Sequence, residues 1–331
     1  MQGKSVRRFG RVVQSVRVSV TDRCNLRCRY CMPAQGLAWL PRDEVLTREE
    51  IARLVRVMAG WGVSDVRVTG GEPLMRPDLA GIVADIAATP GIREVSMTTN
   101  GVLLADRLHA LVEAGLHRVN VSVDSLDPDR FETITRRREL DRVLEGLEAC
   151  ARHADLGPIK VNAVLQRGLG ERDVLPLAEM ARTGPFVVRF IESMPLDADG
   201  AWTAAQVIPG DELRRMVHAR WPLVPAGRER PSAPGTSWRF ADGRGEVQFV
   251  SPVTEPFCAQ CDRIRLTADG QLRTCLFAQY ETDLRTPLRE GADDAGLAAV
   301  LAGAVAAKPA GHGIGQAGWT YEGRPMSRIG G

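Results

Sequence analysis

The chain has 331 residues, 44% hydrophobic and 25% charged, with a formal net charge of +2. That profile fits a globular protein and excludes polyanion binding by net charge alone, so any affinity for phosphate must come from locally placed Arg and Lys. The first twelve residues hold no apolar run long enough for a signal peptide. The most apolar stretch, 295–307, falls short of the roughly 20 residues a membrane span needs. A cytoplasmic protein with neither membrane nor nucleic acid among its partners is expected.

Short runs rich in β-branched residues recur at 13–20, 65–69, 94–99, 118–123, 159–165 and 186–191. Helical segments lie between them at 47–59, 78–88, 105–114, 140–153 and 173–182. The first opens with a capping box, Thr47 standing three residues before Glu50. Six such units predict an α/β fold with a parallel sheet and helices outside, as an open sheet or a barrel. They set residues 1–195 apart from a C-terminal segment, 196–331.

These strands alternate, whereas strands covered on both faces usually read as continuous apolar runs. Val16, Val18 and Val20 oppose Ser15, Arg17 and Ser19; Val66 and Val68 oppose Arg67 and Thr69; Val95 and Met97 oppose Ser96, Thr98 and Asn100. Val119, Val121 and Val123 oppose Asn120, Ser122 and Asp124; Ile159 and Val161 oppose Lys160 and Asn162; Arg189 opposes Val188 and Phe190. With the apolar face against helices, Arg17, Arg67, Lys160 and Arg189 project to a common side. Buried cations are costly unless paired, so that side should be a wet cavity holding an anion. The loops at the strand ends carry Cys24–Cys31, Gly70-Gly71-Glu72-Pro73 and Glu192-Ser193-Met194, at the edge where such sheets place active sites.

Six of the seven cysteines form two triplets, Cys24, Cys28 and Cys31, then Cys258, Cys261 and Cys275; Cys150 stands alone as a core residue. Three thiolates cannot saturate a four-iron cluster, so one iron would stay open to an outside ligand. Zinc is the alternative at both sites, although structural zinc usually takes four protein ligands and neither triplet has a clear fourth. The second triplet reads as strand, Asp269-Gly270 turn and returning strand, with Arg263 and Arg265 on one face. An open iron beside two guanidiniums suits a purine nucleotide, and Arg17, Arg67, Lys160, Arg263 and Arg265 suit its triphosphate.

The motifs TDRCNLRCRYCMP and VTGGEPLMR resemble the radical SAM (S-adenosylmethionine) superfamily. With TTNG, RVNVSVDSLD, KVNAV, RFIESMP, FCAQCDRIRLTADGQLRTCLF and the terminal Ile329-Gly330-Gly331, the whole chain resembles the GTP 3′,8-cyclases of molybdenum cofactor biosynthesis. The resemblance implies a partial (β/α)6 TIM-like barrel, with a cluster-binding C-terminal segment closing its open side. It implies two [4Fe–4S] clusters, on Cys24, Cys28 and Cys31 and on Cys258, Cys261 and Cys275. SAM would meet Tyr30, Gly70, Gly71, Glu72, Ser122 and Met194. GTP would meet Arg17, Arg67, Thr98, Lys160, Arg263 and Arg265, with Arg17, Arg263, Arg265, Gly330 and Gly331 in catalytic roles.

The implied activity is lyase-type: a 5′-deoxyadenosyl radical takes H-3′ from GTP and the C3′ radical adds to guanine C8, giving 3′,8-cyclo-7,8-dihydro-GTP. Cyclic pyranopterin monophosphate synthase would take the product and an electron donor would serve the clusters; a homodimer stays open. Another dual-cluster radical SAM enzyme, for a peptide or a different nucleotide, is the alternative. A non-catalytic zinc-stabilised binding protein is a second, and acid-labile sulfide would separate it. The stretch 225–237 reads as a mobile surface loop, and Arg136-Arg137-Arg138 as a solvated face near the cavity edge.

Overall fold

The computed structural model describes residues 7–314, 316, 319–321 and 323–331; the first six residues of the N-terminus, where no signal peptide is expected, lie outside these. A short ladder of β1 (Arg7–Arg8) and β2 (Arg11–Val12) leads in. The predicted units follow: β3 (Ser15–Ser19), α1 (Arg48–Gly60), β4 (Asp65–Thr69), α2 (Leu79–Ala87), β5 (Glu94–Thr99) and α3 (Leu104–Glu113). Next come β6 (Arg118–Ser122), α4 (Pro128–Thr135), α5 (Leu140–Ala151), β7 (Ile159–Leu165), α6 (Val174–Thr183) and β8 (Phe186–Glu192). Strands β3 to β8 pair in chain order, all parallel.

The helices form where their signals lie. Thr47 Oγ1 accepts from Glu50 N at 3.2 Å while Glu50 Oε2 accepts from Thr47 N at 2.8 Å, the reciprocal cap that starts α1. The outward face of each strand is apolar and buried. Val16, Val18, Val68, Val95, Met97, Val121, Val161, Val188 and Phe190 share one core with Leu54, Val55, Ile82, Val83, Val143 and Cys150. Each fully buried aliphatic side chain contributes about 1.5–3 kcal/mol, so the valine rows alone fix which face of the sheet the helices cover.

The C-terminal segment holds α7 (Gly210–Arg220), β9 (Leu223–Gly227), β10 (Thr236–Phe240), β11 (Glu246–Val250), β12 (Arg263–Leu266), β13 (Gln271–Arg273) and β14 (Thr282–Asp283). Helices α8 (Arg285–Arg289), α9 (Asp294–Ala306) and α10 (Met326–Ile329) complete it. It extends both rims of the wall: β12 runs parallel to β3 and β11 parallel to β8. The sheet has twelve strands in the order β14-β13-β12-β3-β4-β5-β6-β7-β8-β11-β10-β9 and stays open, as a partial TIM-like barrel does. The Asp269-Gly270 hairpin forms, pairing Arg265 with Arg273, and Gly270 has φ +79°.

Two stretches differ from expectation. The 225–237 stretch is exposed through residue 231, as a surface loop would be, but it is tied down: β9 runs to Gly227, β10 starts at Thr236, and the strap between them lies against the starts of β4, β6 and β7. There Arg230 pairs with Asp65, and Glu229 with Arg118 at 3.0 Å and Lys160 at 2.6 Å. Of the three arginines, Arg137 and Arg138 are exposed, but Arg136 turns inward. It ends α4 with φ 57° and donates to Arg27 O at 2.7 Å and Met32 O at 2.9 Å. Among the described residues no helix is long and apolar enough to cross a membrane.

Candidate active site

A cavity of about 280 Å³, open to solvent, runs between the inward faces of the strands and the C-terminal segment. Both cysteine triplets, the Gly70-Gly71 loop, five arginines and the chain terminus line it.

The loop after β3 carries the first triplet. Cys31 N and Met32 N both donate to Cys28 O, and the Arg27 guanidinium donates to Cys24 O at 2.7 Å and Leu26 O at 2.9 Å. The end of α4 ties the loop from outside through Arg27 N to Thr135 O and Arg29 N to Ile134 O. Burial raises Cys24 to about 11 and Cys31 to about 12, and Cys28 is raised too. Such thiols shed protons to a bound metal far more readily than to water. Tyr30 Oη donates to Asp124 Oδ2 at 2.7 Å, while Asp124 Oδ1 accepts from Val164 N, which fixes the ring at the cavity wall.

The Gly70-Gly71 loop packs directly on this cysteine loop. Gly71 N donates to Thr21 O and Glu72 N to Arg23 O, both at 2.7 Å, and a Cβ on Gly71 would meet Arg23 O and Asp22 O at 2.5 Å. Only glycine permits that approach. Glu72 itself lies beneath the lining. Its carboxylate accepts from Leu74 N, Thr99 Oγ1 and Asn100 N, and burial pushes it up to about 7. Ser122, Thr98 and Met194 line the cavity, as the motifs suggested.

Cys258, Cys261 and Cys275 line the same cavity as the first triplet. Arg11 braces their surroundings, donating to Cys258 O at 3.0 Å and Pro309 O at 2.7 Å. Lys308 Nζ sits 3.9 Å from Cys261 Sγ and donates to Arg263 O at 2.8 Å. Burial alone would raise Cys261, but Arg263 and Lys308 outweigh it and pull the thiol down. His312 also lines the cavity, yet both ring nitrogens are engaged, Nε2 with Pro252 O and Nδ1 with Ile314 N. His312 therefore offers neither triplet a free ring nitrogen. Among the described residues no three His, Cys, Asp or Glu side chains close around a single ion. A [4Fe–4S] cluster asks for a wider set, each thiolate on its own iron, and both triplets fit that donor chemistry.

Arg17, Arg67, Arg189, Arg263 and Arg265 line the space between. Their partners are mostly neutral: Arg67 donates to Ser96 Oγ at 3.2 Å, Arg189 to Asn162 Oδ1 at 2.8 Å, Arg265 to Gly330 O and Arg263 to Ser232 O at 3.4 Å. Burial and mutual repulsion pull Arg67 down to about 10, Arg189 and Arg265 to about 9, and Arg17 well below its usual value. Arg189 and Arg265 are buried and Arg17, Arg67 and Arg263 half-buried, and among the described residues Arg263 alone of the five has a carboxylate within 4 Å, Asp262 at 3.9 Å, so the set makes a site for a polyanion. Lys160 is not among the lining residues, because Glu229 holds it.

The C-terminus enters the same space. Gly331 lines it and accepts from Thr69 Oγ1 at 3.0 Å. Gly330 has φ +79°, and a Cβ there would meet Thr69 Cγ2 at 2.7 Å. Ties from Met326 N to Leu196 O and from Arg324 to Asp269 hold the tail in place. Strand alternation pointed to Arg189 and Asn162, though neither stood among the expected substrate contacts. His312, Phe257 and Ser327 also line the cavity and gave no local signal.

A family model described as the Radical SAM superfamily matches residues 18–181, and one described as Molybdenum Cofactor Synthesis C matches residues 186–314. The chain is 48% identical to a GTP 3′,8-cyclase of Mycolicibacterium smegmatis, covering 99% of this chain and 92% of that one. It is 45% identical to one from Moorella thermoacetica (98% and 99% covered) and 47% to one from Streptomyces coelicolor (98% and 95%). Among solved structures it resembles Streptococcus suis SuiB, with a TM-score of 0.60 at 13% identity over 91% of this chain and 67% of that one. SuiB bound to S-adenosylmethionine gives 0.56 at 13% identity, over 82% and 61%. At that identity the likeness is one of fold.

Proposed function

As a member of the GTP 3′,8-cyclase family within the radical SAM superfamily, this chain, we propose, binds GTP between its two cysteine triplets and converts it to 3′,8-cyclo-7,8-dihydro-GTP. That is the first step of molybdenum cofactor biosynthesis, and the reaction is lyase-type. The observation that carries the reading is the set of five buried or half-buried guanidiniums, short of carboxylates, lining one cavity with two open-ended thiol sets. Residues 1–195 form the barrel with Cys24, Cys28 and Cys31 as ligands of its cluster; residues 196–331 carry Cys258, Cys261 and Cys275 for a second.

Clusters held by the two cysteine triplets would supply the electron that cleaves SAM to a 5′-deoxyadenosyl radical and the electron that reduces the product. The chain's own residues set the geometry. The Gly70-Gly71 backbone approaches the SAM amino group, with Glu72 bracing that turn from beneath. Tyr30, held by Asp124, offers its ring to the adenine, and Ser122 and Met194 complete that pocket. Arg17, Arg67 and Arg263 neutralise the phosphates, with Lys160 at the far end and Thr98 toward the sugar. Arg265 holds Gly330, so the Gly330-Gly331 tail lies against the reacting nucleotide and shields it from water. The product passes to cyclic pyranopterin monophosphate synthase in the cytoplasm, and a separate electron donor reduces the clusters.

The test uses anaerobically reconstituted enzyme, SAM, a strong reductant and GTP deuterated at C3′. Deuterium in the 5′-deoxyadenosine is expected. Unlabelled 5′-deoxyadenosine, formed equally fast without GTP, would remove the cyclase reading and leave only SAM cleavage.

A further inference from the structure

Lys160 lies on the same face of β7 as Asn162, two residues nearer the start of the strand, and Asn162 lines the cavity. The lining stops one layer short of Lys160. Beyond it stands the strap between β9 and β10. Glu229 Oε2 takes the Lys160 ammonium at 2.6 Å, and Oε1 takes Arg118 at 3.0 Å. Further along the strap, Arg230 pairs with Asp65, and Pro234 reaches the cavity lining. The floor of the cavity is thus one strap thick, and a carboxylate there bridges two inward cations just below five guanidiniums.

An anion held between a buried ammonium and a guanidinium is the chemistry of a phosphate subsite. We propose that Glu229 occupies the place of the substrate's terminal phosphate, so that this side chain sets how strongly the chain prefers a nucleoside triphosphate to shorter forms. The inference rests on the GTP reading above and extends it to a residue that reading does not use. The exchange is physically feasible. The Glu229 side chain is 47% exposed and can swing into water, while Lys160 is 7% exposed and stays. The Arg230–Asp65 pair anchors the strap beside it, so only one side chain has to move. A terminal phosphate carries more charge and more acceptor oxygens than a carboxylate and takes over both cations. While Glu229 remains, its charge repels the incoming phosphate.

The test is calorimetry on cluster-loaded enzyme with GTP, GDP and guanosine. Glu229→Gln is expected to tighten GTP roughly tenfold and GDP less, with guanosine unchanged, as fits removal of one nearby like charge. Glu229→Asp, which keeps the charge but slackens the contact, is expected to hold the GTP-to-guanosine ratio within about twofold of the wild type. In a Lys160→Met background the effect of Glu229→Gln should shrink, since one of the two cations that both anions share is gone and only Arg118 remains. An unchanged or reduced ratio in Glu229→Gln, or the same gain in Glu229→Asp, would overturn the proposal and leave Glu229 as a brace. If wild type binds guanosine as tightly as GTP, the triphosphate reading itself falls, and this inference with it.

Discussion

Glu72 is a buried carboxylate that takes three hydrogen bonds and, among the described residues, pairs with no cation. Burial raises it from the ordinary 4.5 to about 7, so the folded chain holds its proton more tightly than the unfolded chain. Its contribution is therefore fully present below about pH 4.5 and lost as pH rises through about 7, a difference of about 3 kcal/mol. Chemical denaturation of the cluster-free protein should show wild type losing stability across that window and Glu72→Gln losing markedly less. If both variants show the same slope, Glu72 is already ionised in the fold. Gly-Gly-Glu-Pro was legible as a site turn, but a four-residue motif does not say which way its acid points. That direction is settled by Thr99 and Asn100, whose donors come from the next strand.

At the scale of elements, the cysteine loop is held by the end of α4 as well as by its own turns. Thr135 and Ile134 accept from its backbone, and Arg136 clamps Arg27 O and Met32 O. Bonds from a charged donor contribute about 1.5–3 kcal/mol each, so two of them can hold a loop whose thiols would otherwise splay. Arg136→Met should leave the fold intact by circular dichroism but cut the iron and sulfide retained after reconstitution by roughly half, the loss falling on the first cluster. Full occupancy of both clusters would reduce Arg136 to a surface tie. The sequence showed the cysteine spacing and the strand before it plainly. Arg136 was hidden in a run of three like residues, because only a left-handed backbone at the end of α4 turns one of them inward.

Across the whole molecule, the valine rows and the turn residues made the parallel wall, its polar inner face and the Asp269-Gly270 hairpin readable from local pattern alone. The pairings of β12 with β3 and of β11 with β8 join segments far apart in the chain, and no local signal announces them. The tail is another such long-range contact, from Gly330 and Gly331 to Arg265 and Thr69. Deleting Gly330 and Gly331 should shift Tm by no more than about 2 °C, since no core residue is lost. It should abolish the cyclised product while 5′-deoxyadenosine still forms from SAM. Retained cyclisation would remove the tail from the chemistry. The two-sided bracing also bears on how the chain is made. As it leaves the ribosome, the six-strand wall emerges with the outer edges of β3 and β8 unpaired, and β12 follows β8 by some seventy residues. During that interval two open strand edges are available to any neighbouring nascent chain. Synthesis of this protein thus has a stretch during which the barrel half exists without its rims, and chaperone protection matters most there.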